Sequence, residues 1–140
     1  MSRQKLADLR VFIDSCDLAV VSSLSPGGAP QSAAVAIAVT PELEIVFDTV
    51  DSSRKYRNLK ARGECSITMW TGEVTVQYEG IAEEPVGADL DRYKKAYFKK
   101  LPDGRDRQSW AGIAYFVVRP RWIRFSDFDA RPPLIEEYTF

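Results

Sequence analysis

The chain has 140 residues, 45% of them hydrophobic and 28% charged, with a formal net charge of −1. That length suits one domain with a sizeable core, and the balanced charge excludes a general nucleic-acid binder, which needs a strong basic excess. The chain contains no histidine, which excludes Ser–His and Cys–His nucleophiles and His-ligated zinc or haem.

No acids stand at metal-ligand spacing. The two cysteines, Cys16 and Cys65, are isolated in apolar surroundings and read as reduced core thiols. No apolar run reaches membrane-spanning length, and the polar start lacks a signal-peptide stretch. The expectation is a cytoplasmic protein with no membrane contact, whose chemistry would come from a bound organic cofactor.

In chain order, residues 5–13 have the apolar spacing of an amphipathic helix. Residues 17–24 are β-rich, and 25–30 (Ser-Pro-Gly-Gly-Ala-Pro) form a hairpin turn by residue type. The returning strand, 31–39, is rich in alanine. Two readings are open there: something flat lies close to the backbone, or another element packs tightly against it. After a turn at 40–42 comes a strand over 43–47, then a helix to about residue 61 with Gly63 as its C-cap. Strands at 64–70 and 73–83 follow, with Gly80 marking a bend or bulge. A helix over 88–100 carries four lysines in its last two turns, read as a solvated face that also suits the dipole. Residues 101–109 form a polar loop with Trp110 at its exit. Strands at 114–118 and 122–125 are joined by Arg119-Pro120-Arg121. Residues 130–140 read as a tail, packed on a partner or free. This predicts a mainly β, α+β domain: an antiparallel barrel of about six or seven strands with two to three helices, spanning 1–140.

The chain is organised around residues 46–59. Asp51, Ser52 and Ser53 are good N-caps, yet the helix they open begins with Arg54 and Lys55. Cations there oppose the macrodipole. Free N–H groups, hydroxyls and two cations at one point suit an anion, above all a phosphate; the alternative is a solvated helix start that is basic.

Three pieces carry a resemblance. They are Gly28-Ala29-Pro30-Gln31 opening the alanine strand, Phe47-Asp48-Thr49 followed by Ser53-Arg54-Lys55 and Asn58-Leu59, and the closing 118–125 with Arg119-Pro120-Arg121-Trp122. With strand order and spacing kept from about residue 6 to 126, the chain resembles the pyridoxamine 5'-phosphate oxidase-like family of FMN-binding split barrels. The resemblance implies a homodimer with FMN in a groove between subunits. Ser53, Arg54 and Lys55 correspond to residues holding the phosphate. Thr49 falls beside the ribityl and phosphate, with Phe47 and Asp48 before it among the cofactor-binding positions. Ala33, Ala34 and Val35 run along the isoalloxazine ring, Thr75 and Gln77 come from the other subunit, and Trp110 flanks the ring.

The departures shape the expected activity. The arginine and lysine that genuine pyridoxamine phosphate oxidases carry on the second strand are replaced by Ala33 and Ala38, and the family's C-terminal Arg-x-His has no counterpart. Vitamin B6 oxidation is therefore not expected, nor is the histidine-ligated haem branch. The resemblance implies a flavin-dependent oxidoreductase passing hydride or electrons between NADH or NADPH and a small-molecule substrate. A deazaflavin reductase of the same fold and a non-catalytic flavin-binding sensor are the alternatives.

Overall fold

A computed structural model describes residues 3–140. The elements are α1 (Arg3–Ser15), β1 (Leu18–Leu24), β2 (Pro30–Ala36), β3 (Ala38–Val39), β4 (Ile45–Val50), α2 (Arg54–Ala61), β5 (Glu64–Thr71), β6 (Val74–Glu83), α3 (Gly87–Lys100), a 3-10 segment Pro102–Ser109, β7 (Ile113–Asp127) and β8 (Leu134–Thr139). All pairings are antiparallel. The sheet runs β2-β1-β5-β6-β7-β4-β3, with β8 also on β7. It curls into a mainly β split barrel of eight strands, one more than the upper expected count.

Strand β7 is the spine. Its first part pairs with β4, from Val118 opposite Ile45 to Ile113 opposite Val50. Its last part pairs with β8, while β6 runs along its other edge. Residues 114–118 of β7 and 45–47 of β4 are buried on both faces. One face carries Phe47, Phe116 and Val118 into the barrel core with Ile13, Ile37, Ile67, Met69, Val76 and Tyr78. The other carries Val46, Tyr115 and Val117 against Tyr93, Tyr97 and Phe98, on α3. Helix α1 closes the barrel with Leu9 and Ile13.

Several segments differ from the sequence reading, each for a physical reason. Residues 114–125 form one continuous strand because Pro120, which has no N–H to lose, sits opposite Gly80 where the ladder with β6 shifts register. The alanine run breaks at Ile37 into β2 and β3. The polar loop at 101–109 winds into a 3-10 segment, opening on Pro102. The expected tail instead forms β8, with Tyr138 buried and cross-strand from Ile123. Gly63 is no left-handed C-cap. The α2 cap is Arg62 in an extended conformation, and Gly63 is required because a Cβ there would lie 2.5 Å from the Ala82 carbonyl oxygen. Both cysteines are free thiols, and burial pushes Cys65 up to about 12.

The bulge at Gly80 leaves no room for a side chain, since a Cβ would lie 2.3 Å from the Arg119 carbonyl oxygen. Gly80→Ala is expected to cost about 1–3 kcal/mol as an overpacked site. Gly27→Ala, where a Cβ meets nothing within 4 Å, serves as the control in the same urea titration. Equal midpoints for the two variants would refute this account of the bulge.

Candidate functional site

The turn between β4 and α2 is fixed by its own hydrogen bonds. Asp51 N–H donates to the Gly112 carbonyl at 2.8 Å and Ser53 N–H to that of Val50 at 3.0 Å. Ser53 is the N-cap, with φ −76° and ψ 154°, and its Oγ accepts from Tyr56 N–H. Thr49 Oγ1 lies 2.9 Å from Ser53 Oγ. Helix α2 therefore starts with Arg54 and Lys55, with no acid in its first turn. The first-turn N–H groups lack intrahelical partners and carry the positive end of the dipole.

Two anchors hold α2 against the sheet. Leu59 is buried in the barrel core, and the Tyr56 ring meets Phe116 edge-on at 5.6 Å. The buried Asn58 amide donates to Ser23 Oγ at 3.0 Å and to Gln31 Oε1 at 2.9 Å. One side chain thus ties the helix to β1 and β2. Between them lies a cavity of about 120 Å³ lined by Ser23, Gln31, Ser32, Ala33, Arg54 and Lys55. The alanine strand and the Ser-Arg-Lys helix start, far apart in sequence, form its opposite walls.

Among the described residues, neither Arg54 nor Lys55 closes a salt bridge. Burial pushes the Lys55 ammonium below the ordinary lysine range, partly offset by the Asp48 carboxylate. Asp48 itself is held by Arg107, whose Nε lies 2.7 Å from Asp48 Oδ2. Arg107 also donates to the Tyr97 hydroxyl at 3.1 Å and lies 3.5 Å from Asp103. A small cavity with hydroxyls, helix-start amides and two uncommitted cations fits a dianionic phosphate.

The sequence-predicted residues divide into groups. Ala33, Arg54 and Lys55 line the cavity; Ser53 and Thr49 are not among its lining residues, though Ser53 caps the helix that carries Arg54 and Lys55 and its hydroxyl meets that of Thr49. Ala34 is exposed on the other face of β2, and Val35 points into the core. The Phe47 ring is fully buried and stacked on Phe116 at 5.8 Å, so its side chain faces the barrel core. Asp48 meets Arg107 and so acts on the site electrostatically. Thr75 and Gln77 lie on β6, three strands from β2 along β1 and β5, or about 14 Å. Within one protomer they do not join the cavity. Trp110 is 56% exposed at the end of the 3-10 segment. Its loop reaches the α2 turn through the Asp51–Gly112 hydrogen bond. Ser23, Gln31, Ser32, Asn58 and Arg107 were not singled out by sequence as site residues. Asn58 and Gln31 carried a signal only as parts of motifs, Asn58 after Ser53-Arg54-Lys55 and Gln31 at the end of Gly28-Ala29-Pro30-Gln31.

A split barrel with a phosphate-sized basic cavity at a strand–turn–helix junction defines the class. The family described as pyridoxamine 5'-phosphate oxidase matches residues 6–127, and the chain belongs to that family. Among solved structures it is similar to a heme binding protein from Mycobacterium smegmatis, with TM-score 0.84 and 19% identity over 99% of this chain and 58% of that one. It is also similar to a pyridoxamine 5'-phosphate oxidase-related, FMN binding protein from Nostoc punctiforme, with TM-score 0.68 and 9% identity over 98% and 93% of the two chains. A heme storage protein from Vibrio cholerae gives TM-score 0.71 and 13% identity over 81% and 88%. The chain spans just over half the length of the Mycobacterium smegmatis protein. No curated protein matches it.

The cap can be tested alone. Ser53→Ala removes the acceptor for Tyr56 N–H and the contact with Thr49, and is expected to cost about 1 kcal/mol. Thermal unfolding reads the loss, and a variant as stable as the parent would remove Ser53 from this role.

Proposed function

We propose that this chain is an FMN-binding, oxidoreductase-like protein whose site is completed by a second copy of itself. The observation that carries the reading is the cavity joining β2 to the start of α2, with Arg54 and Lys55 uncommitted on its wall. At about 120 Å³ it takes a phosphate. It is well short of the roughly 300–1,000 Å³ of a pocket for a whole drug-sized ligand. The rest of the cofactor would then lie outside it along β2, where alanine side chains permit close approach of a planar ring. Strand β2 is a sheet edge, and the far face of β6 with Thr75 and Gln77 reaches such a ring only from another copy.

Bound flavin would supply hydride and electron transfer, with NADH or NADPH as donor and a small molecule as acceptor. The chain's own groups do the rest. Arg54, Lys55 and the α2 amides hold the phosphate. Asn58 keeps helix and strands at fixed separation. Trp110, on the adjoining loop, shields one side of the ring. Two of the similar structures are heme proteins by name, but this chain has no histidine for iron, and the uncommitted cations favour a phosphate-bearing ligand.

The first test is the visible spectrum of the purified protein, with and without added FMN. A flavin spectrum with bound stoichiometry is expected; a protein that stays colourless and takes up no FMN sinks the reading. Parallel titrations with deazaflavin and hemin identify those ligands if they bind instead. Arg54→Ala/Lys55→Ala should weaken FMN by several kcal/mol, at about 1.5–3 per charge-assisted contact, and leave riboflavin little changed.

The pH dependence follows from Lys55. Its free-protein pKa is lowered, mainly by burial, and a bound phosphate favours its charged form. Above the free pKa, binding must therefore take up a proton. FMN affinity is expected to fall as pH rises through the alkaline range below the ordinary lysine value. Lys55→Met should flatten that slope in fluorescence-quenching titrations, and a persisting slope would assign it to another group.

A further inference from the structure

We infer that the buried Asn58 amide sets the hydrogen-bond polarity of the anion cavity: it occupies the side-chain oxygens of Gln31 and Ser23, so that Gln31 Nε2 and the Ser23 hydroxyl proton meet the ligand as donors. Gln31 and Ser23 are thereby ligand-binding residues and Asn58 a positioning residue. The inference rests on the phosphate reading of the cavity and adds uncharged donors to its two cations.

Asn58 lies one turn after Arg54 on α2, so the two share a helix face. That face is laid along the β1–β2 hairpin. Asn58 Nδ2 donates to Ser23 Oγ at 3.0 Å and to Gln31 Oε1 at 2.9 Å. One turn further on, Arg62 Nη2 donates to the Ser25 carbonyl at 2.8 Å. Ser23 and Gln31 are cross-strand partners, so a single amide nitrogen spans one rung of the hairpin. Water does not compete for these bonds, since Asn58 is 4% and Ser23 3% exposed. Ser23, Gln31 and Arg54 all line the cavity, so Asn58 touches its wall directly.

The polarity follows from which atoms are used. An amide nitrogen only donates, and Asn58 Nδ2 has two N–H groups, one for each bond. Gln31 receives its bond on Oε1, which leaves Nε2 with two N–H groups and no partner among the described residues. Ser23 receives on Oγ, which leaves its own proton without an acceptor among the described residues. Ser32 offers nothing comparable, because its Oγ lies 2.8 Å from Ser22 Oγ, and Ala33 has no polar side-chain atom. The uncharged part of the wall thus presents donors, in keeping with Arg54 and Lys55 on the helix side. A dianionic phosphate group, whose terminal oxygens only accept, pairs with all of them. Were the rung reversed, with Asn58 Oδ1 accepting, Gln31 would turn its own oxygen into the cavity and repel the same ligand.

The test titrates the full, ligand-free chain with inorganic phosphate and follows the side-chain signals of 15N-labelled protein. The Gln31 Nε2 protons are expected to move downfield as they gain an acceptor, while the Asn58 Nδ2 protons, already bonded, stay in place. Asn58→Asp removes the donor and reverses the rung: the Gln31 protons should lie downfield before phosphate is added and then no longer respond to it. A helix that merely shifts gives no such signature. Gln31→Met, which keeps the volume without the donor, should weaken phosphate about fivefold, the loss of one neutral hydrogen bond, and covers an Asn58 variant that fails to fold. Phosphate that moves the Arg54 and Lys55 signals but not Gln31, or that binds Gln31→Met as tightly as the parent, overturns the inference and spares the phosphate reading. Phosphate that moves none of these signals overturns both. If Gln31 responds as expected but the protein ignores FMN, the donor assignment stands and the flavin reading fails.

Discussion

The structure depends on one constraint: the β4–β7 ladder is buried on both faces. Its alternate residues serve two cores at once, the barrel on one side and α3 on the other. A strand between two packed layers has no freedom to slip, because a one-residue shift would exchange the two sets of side chains. That fixed register decides where β4 ends, and the end of β4 decides where Ser53 caps α2. The site is therefore placed by the most rigid part of the fold. The 3-10 segment is placed by the same layers, since Tyr97 belongs to the second core and also receives Arg107.

The site works by opposing two tendencies. Cations at a helix start raise its energy, and burial of Lys55 adds to that. Nothing within the described chain pairs Arg54 or Lys55 closely enough to relieve it, while the nearby acid is already taken by Arg107. An anion entering the cavity relieves both. On the proposed phosphate reading, the small instability kept at the turn is what an anionic ligand would remove.

The organising stretch was legible in the sequence because its logic is local. Strand pattern, N-cap and misplaced cations lie within fourteen consecutive positions, and the structure keeps them adjacent. What was not legible depended on distant partners. Gly63 has the composition of a helix cap, but the reason for it is the Ala82 carbonyl on β6. Residues 130–140 carry two prolines and no alternation, so only the exposed edge of β7 makes a strand of them. Pro120 reads as a break until Gly80 is seen opposite. In the site, Arg54 and Lys55 announced themselves by opposing the dipole. Phe47 stood in the same motif, yet its alternation partner is the core. Ser23 and Arg107 had no local signal, since each matters only through a contact with Asn58 or Asp48 made across the fold.

The edge position of β2 gives the cavity walls of unequal firmness. The α2 wall is held by Leu59 in the barrel core and by the buried Asn58. The β2 wall is paired along one side only, and amides of such strands open at lower free energy than those of a core ladder. In hydrogen-exchange terms, β4 and β7 form the slow-exchanging frame and β2 its fast-exchanging flank. The cavity thus combines an anchored side, the start of α2, with a yielding side along β2 that could follow the shape of whatever lies against it.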